Sequence, residues 1–223
     1  ENLIREYIEL YLGSLKTNSE RETPKYDVVK GFPDKQVIEN IYAGEEEQSW
    51  VGIAFDHDMD WTPKNTMIVS EINEALQIEL IATIREKMSG VYSPMLQMSP
   101  EKEPKPSYSM LIMFSCSPDN TDKLSEACFN ILRDFTQNGP SAETMEKVKK
   151  QMINNHETSL KQNNMWLSYI AGKYYSGEDI NSINNYVERV NAVTTEDIVK
   201  FMKENFDIDK YVKVYLYPEK MKK

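Results

Sequence analysis

The chain has 223 residues, 40% of them hydrophobic, with a net charge of −10 and an isoelectric point near 4.9. That is enough for one substantial core, or for one domain with a piece of another. The acidic balance argues against nucleic acid and anionic lipid as partners, and no apolar run approaches the roughly 20 residues of a membrane span.

Leu3, Ile4, Tyr7, Ile8 and Tyr11 follow helical spacing and predict an amphipathic helix closed by Gly13-Ser14. Residues 16–33 are polar and carry Pro24 and Gly31-Phe32-Pro33, which reads as a linker. Gln36–Ala43 and Ser49–Phe55 read as two strands of an antiparallel hairpin around the acidic turn Glu45-Glu46-Glu47. Thr62-Pro63 opens a long helix whose apolar stripe is Ile68, Ile72, Leu76, Leu80 and Ile84, with a break expected near Gln77. Ser89-Gly90 turns the chain into a strand over 91–99. The proline-rich loop 100–106 leads to the strand Tyr108–Cys116, whose apolar residues on both faces predict a central place in a sheet.

Asp119 or Asn120 can cap the next helix, and Ser141 caps a long charged helix to about Gln162. Helices over 166–175 and 180–190 follow. Thr194-Thr195-Glu196-Asp197 resembles a capping box, and residues 211–217 alternate as a last strand. The order lacks regular β-α-β alternation. It predicts an α+β domain: a mostly antiparallel sheet of about five to six strands backed by helices.

The chemistry-bearing residues are few. His57 and His156 are the two histidines, and neither falls in HExxH or HxxEH spacing. They read as a solvated loop residue and a helix-surface residue. Cys116 and Cys128 fall on apolar positions and read as buried free thiols. No pair of acids is singled out by spacing, and no Gly-x-Ser-x-Gly elbow or phosphate-cradling loop occurs. Arg85, at the end of a helix, and Tyr92, at the start of the next strand, remain as the candidate pair. A guanidinium offers planar donors to a carbonyl or carboxylate, and a phenol can donate to an oxyanion. Both also have ordinary structural readings, Arg85 as a complement to the helix dipole and Tyr92 as a good strand residue.

The stretch Ile84-Arg85-Glu86-Lys87-Met88-Ser89-Gly90-Val91-Tyr92-Ser93-Pro94 resembles a signature in the C-terminal, non-zinc domain of pitrilysin/insulinase-type zinc metallopeptidases, the family with the inverted HxxEH motif. Tyr11-Leu12-Gly13-Ser14-Leu15, Ser141–Val148 and Val193–Ile198 resemble other family segments in the same order. The resemblance implies tandem domains forming two halves around a closed chamber, with zinc and its general base in the N-terminal half. It implies that Arg85 binds substrate, that Tyr92 binds substrate and supports the tetrahedral intermediate as a catalytic residue, and that Gly90 keeps the turn tight. It implies residues 1–20 as the last helix of a preceding domain, 21–35 as a linker and 36–223 as the C-terminal domain, ending at a natural C-terminus.

HxxEH is absent from the chain, so no metal is expected in this segment and zinc is expected in the parent protein. The expected partners are the N-terminal half of the same peptidase and a peptide substrate. The fragment alone is expected to be inactive. Two alternatives stay open: a non-catalytic peptide-binding or scaffolding relative, and an unrelated ligand-binding α+β domain. The start at Glu1 has no signal-peptide pattern. A periplasmic or other extracytoplasmic location is expected if a signal lies upstream, and a cytoplasmic one otherwise.

Overall fold

The computed structural model describes residues 1–16, 31–88, 91 and 94–222. The chain divides into two units, Glu1–Lys30 and Gly31–Lys223. In the first, helix α1 (Asn2–Tyr11) carries the predicted apolar stripe, and none of its residues is buried.

The second unit holds a five-stranded mixed sheet in the order β1-β5-β2-β4-β3. The strands are β1 (Val37–Tyr42), β2 (Ser49–Asp58), β3 (Met95–Glu101), β4 (Ser107–Cys116) and β5 (Val212–Tyr217). Three pairings are antiparallel and one, β1 with β5, is parallel. The expected hairpin between the first two strands does not form, because β5 lies between them. The reason is remote from either strand. Tyr217 of β5 stacks on Tyr42 with ring centroids 5.8 Å apart, and the Glu219 N–H donates to the Gly44 carbonyl at 2.9 Å. Period-two alternation marks a strand but says nothing of its neighbour.

The helices are α2 (Pro63–Leu80), α3 (Thr121–Asn138), α4 (Ala142–Ser159), α5 (Asn163–Ser176), α6 (Tyr186–Ala192) and α7 (Thr195–Asn205). The core forms where α2, α3, α4 and α7 pack with one face of the sheet. It takes Val51, Ile53 and Phe55 from β2, Met110, Ile112 and Phe114 from β4, and Ile72, Leu76 and Leu80 from α2, all essentially inaccessible. Each such side chain contributes about 1.5–3 kcal/mol through burial. The strand Ser107–Cys116 is internal as expected, but its other face is less covered: Leu111, between Ala54 and Gln97, is 37% exposed there.

Caps set several boundaries. The Thr62 and Ser141 side chains accept the first-turn N–H groups of α2 and α4, and Thr194 with Asp197 forms a full capping box on α7. Asn120 stands at the N-cap of α3 without a side-chain capping bond, and its Nδ2 donates to Ser117 Oγ at 3.0 Å. Gly139 ends α3 at φ +68, and a Cβ there would sit 2.8 Å from both Thr195 and Val199 side chains. Only glycine permits that turn so close to α7.

His57 departs from its expected loop. The inward alternation of Val51, Ile53 and Phe55 runs one step further, so β2 extends to Asp58 and buries His57. Its ring lies 5.8 Å from that of Tyr108 and 5.3 Å from that of Phe206. Burial pushes its pKa down, and its Nε2 has no partner among the described residues. His156 does lie on a helix surface, but its ring stacks on Tyr186 at 4.1 Å. Cys116 and Cys128 are buried free thiols, as expected.

Candidate functional site

The long helix does not break at Gln77. It continues beyond Leu80 into a π-helical segment, Ile81–Lys87. The stripe Ile68, Ile72, Leu76, Leu80, Ile84 offers a physical reason. Residues four apart on an α-helix are offset by about 40°, so the stripe drifts around the cylinder at each step. A wider turn reverses that drift and keeps Ile84 in the core at 0% exposure. Single π-turns in α-helices occur often at functional sites.

Arg85 sits on this widened turn and is exposed, as are Glu86 and Lys87. The Met88 N–H closes the turn onto the Thr83 carbonyl at 3.1 Å. Of the arginines among the described residues, Arg5 pairs with Glu9, Arg133 with Glu126, and Arg189 with Asn185 and the Ser182 carbonyl. Arg85 has no polar side-chain partner among the described residues. Gly90 and Tyr92, the other two candidates, lie outside the described residues.

A groove of about 630 Å³ runs beside the turn, between the helix end and α3. Glu79, Thr83 and Lys87 line one wall, with Asn130, Asp134 and Phe135 on the other. Arg85 does not line it. The groove is mixed in charge, and Thr144 donates to Glu79 at 3.2 Å.

Two residues to which the sequence assigns no functional role connect this helix to the chain after the turn. Gln77 Nε2 donates to the Pro94 carbonyl at 3.1 Å, and Gln77 Oε1 accepts from the Leu96 N–H at 2.6 Å. One turn earlier, Asn73 Oδ1 accepts from the Met98 N–H at 2.8 Å. Two polar residues four apart near an apolar stripe were the available signal, but the same pattern fits any solvated helix flank.

Among the described residues no group of three or more His, Cys, Asp or Glu side chains is placed to hold a metal ion. His57 is walled in by aromatic rings, and His156 is occupied by its stack on Tyr186. The donor set among the described residues therefore does not fit a zinc site. No described helix is long and apolar enough to cross a membrane.

The family model described as Peptidase M16 inactive domain matches residues 2–152. The chain belongs to this family. The M16 assignment agrees with the relatives it resembles. It is 24% identical over 129 residues to the chloroplastic stromal processing peptidase of Pisum sativum, an alignment covering 56% of this chain and 10% of that protein. Its fold matches the periplasmic protease PqqL from Escherichia coli with a TM-score of 0.78 at 18% identity, over 97% of this chain and 24% of that one. A protease from Helicobacter pylori matches with a TM-score of 0.80 at 13% identity, over 98% of this chain and 53% of that one. At these identities the solved structures establish the fold. The M16 domain thus spans about a tenth of the curated relative and between a quarter and a half of those solved chains.

Proposed function

We propose that this M16 domain is the non-metal partner in a zinc endopeptidase, where it binds peptide substrate and stabilises the transition state. The observation that carries the reading is Arg85, an exposed guanidinium on a π-turn with no polar side-chain partner among the described residues. A structural arginine is normally engaged, as Arg133 and Arg189 are. An unengaged one is available to a carbonyl or carboxylate, which its planar donors fit.

In this reading Arg85 holds the backbone carbonyl or a carboxylate of the bound peptide. Tyr92, seven residues on in the sequence, donates its phenolic proton to the oxygen on which negative charge develops. The zinc expected from the resemblance belongs to the N-terminal half of the parent polypeptide, and no step on this chain's residues runs through it. The family's description as an inactive domain supports the expectation that the fragment cleaves nothing alone.

The test is kinetic and uses the full parent polypeptide. Arg85→Ala is expected to lower kcat/KM for a peptide substrate by about 10²-fold, the scale of losing a charge-assisted contact to the reacting group. Arg85→Lys is expected to recover only part of it, because an ammonium lacks the planar fork. Wild-type kcat/KM in Arg85→Ala would refute the reading. So would metal-dependent cleavage by residues 1–223 alone.

A further inference from the structure

The helices pack on one face of the sheet, and among the described residues nothing covers the other. The middle of that open face is β2, where Gly52 and Ala54 alternate with the buried Val51, Ile53 and Phe55. Gly52 pairs with Val214 on β5 and Met113 on β4, and Ala54 pairs with Val212 and Leu111. Two small residues therefore stand between larger apolar ones on both sides, and the exposed indole of Trp50 closes one end. The result is an apolar trough along β2.

Gly52 is the informative residue. A Cβ added there meets nothing within 4 Å, and its φ is not in the left-handed region. Neither the packing of this domain nor its backbone asks for glycine. Glycine weakens a strand interior, and its remaining use is to let another chain come close. A contiguous exposed apolar surface marks a binding face.

Three features decide the occupant. First, β4 and β5 lie about 4.8 Å to either side of β2, so the trough is about 10 Å wide between strand axes. That admits one extended chain, whereas a helix with its side chains is about 10–12 Å across and would ride on the rims. Second, the end away from Trp50 is acidic. Asp56 and Asp58 of β2 share this face with Glu101 of β3, and among the described residues Lys105 answers them, pairing with Asp58 at 2.6 Å. Burial, with Glu101 and Asp58 nearby and Lys105 opposing, raises the pKa of Asp56. A second copy of this chain, at −10, is repelled by such an end, and a basic side chain is attracted. Third, Gln77 bonds Leu96 and Asn73 bonds Met98. Helix α2 therefore runs toward the start of β3, and Arg85 lies about 12 Å beyond Gln77. The apolar end of the trough is the one nearer Arg85.

We infer that this trough docks an extended segment of the peptide substrate, apolar over Gly52 and Ala54 and basic about four residues farther from Arg85, at Asp56 and Asp58. The inference deepens the functional reading above and rests on it. Apolar side chains gain burial against the trough, and an arriving cation offsets the crowding of carboxylates around Asp56.

The experiment uses the parent polypeptide and two fluorogenic peptides that share one cleaved segment. The first carries Leu-Phe-Leu followed by Arg-Arg as its flank, and the second carries Gly and Ser. The apolar and basic flank is expected to lower KM about ten-fold, equivalent to burying about 55 Å² of apolar surface. Gly52→Val fills the trough, and the ratio of the two KM values is expected to fall to within about two-fold of unity. Asp56→Asn is expected to reduce the ratio about three-fold at low salt and less at high salt. Binding of a fluorescein-labelled copy of the first flank, read by anisotropy, is expected to weaken about ten-fold in Gly52→Val.

Equal KM values for the two peptides in the wild type, or a ratio retained in Gly52→Val, overturn the proposal. So does a rise of the same size for both peptides, which would mean that the face packs against another part of the polypeptide. If Gly52→Val does not fold, Leu111→Ser on the trough wall carries the comparison, and an unchanged ratio there overturns the proposal. Wild-type cleavage in Arg85→Ala, with anisotropy still lost in Gly52→Val, fails the functional reading and leaves the docking face standing. A large loss in Arg85→Ala with an unchanged ratio in Gly52→Val removes the docking face alone.

Discussion

The two edges of the sheet are finished in opposite ways. At β3 the edge-facing donors are covered by Gln77 and Asn73 or removed by Pro100. At β1 nothing comparable stands by among the described residues. Val37 and Ala43 donate to Tyr211 and Tyr217 of the β5 side at 2.9 Å, so in the parallel ladder the intervening Ile38, Asn40 and Tyr42 direct their N–H groups outward. The difference teaches that an edge is closed by what lies beside it. The β3 edge runs along a helix that offers amides at the right interval, whereas β1 relies on its six-residue length and on the charge of Glu39. The closed edge is also the one next to the Arg85 turn.

The sharpest way to break this comparison is to open the closed edge. The double variant Asn73→Leu, Gln77→Leu leaves the Leu96 and Met98 N–H groups without partners. At about 1–3 kcal/mol for each orphaned group, a loss of about 2–6 kcal/mol is expected in the urea unfolding free energy. Amide exchange at Leu96 and Met98 should accelerate with it. A loss below about 1 kcal/mol would mean that water replaces the amides without cost.

A second variant tests the same helix where its polar group is unmatched. Glu71 is fully buried on α2, and neither carboxylate oxygen has a partner among the described residues. Burial raises its pKa from 4.5 to about 7, with Lys149 pulling it down and Asp197 pushing it up. The folded state therefore holds the proton more tightly than the unfolded one. The contribution of Glu71 to stability is greatest below pH 4.5 and is lost as the pH rises through about 7. Glu71→Met is expected to stabilise the protein by about 1–3 kcal/mol at pH 8 and by much less at pH 5. Equal effects at both pH values would show that the carboxylate finds a partner. The contrast with Asn73 and Gln77 would then be lost.

The smallest effect is expected at the open edge. Asn40→Pro removes an N–H that faces away from β5 and should cost less than about 1 kcal/mol, as edge positions tolerate proline. A cost above about 3 kcal/mol would show that β1 is covered after all.

Much of this was legible from residues alone. The stripe from Ile68 to Ile84, the capping residues Thr62, Ser141 and Thr194, and the alternating strands each encode local geometry, and each forms close to where it was expected. The order of strands was not legible. β5 enters between β1 and β2 through contacts such as Tyr42 with Tyr217, which are far apart in sequence. The strand expected from Val91 begins only at Met95. His57 was misread because a histidine followed by two acids suggests a loop, while the period-two burial of β2 simply carried on.

At the site, Arg85 was legible as a residue type at a helix end, and the resemblance gave it a role. Its presentation on a π-turn was not legible, since helical periodicity alone does not distinguish a widened turn. Gln77 was missed for a different reason. Its importance lies in two backbone partners on another element, and a hydrogen bond to backbone leaves no side-chain signature at the other end.

The central claim is that this domain supplies part of the reacting centre although it holds no metal ligands among its described residues. It is tested most directly by single-turnover peptide cleavage in the parent polypeptide carrying Tyr92→Phe. The account predicts a fall of about 10²–10³ in the chemical rate, the usual consequence of removing one oxyanion donor, with substrate affinity changed by less than about ten-fold. A single-turnover rate within three-fold of wild type would contradict it.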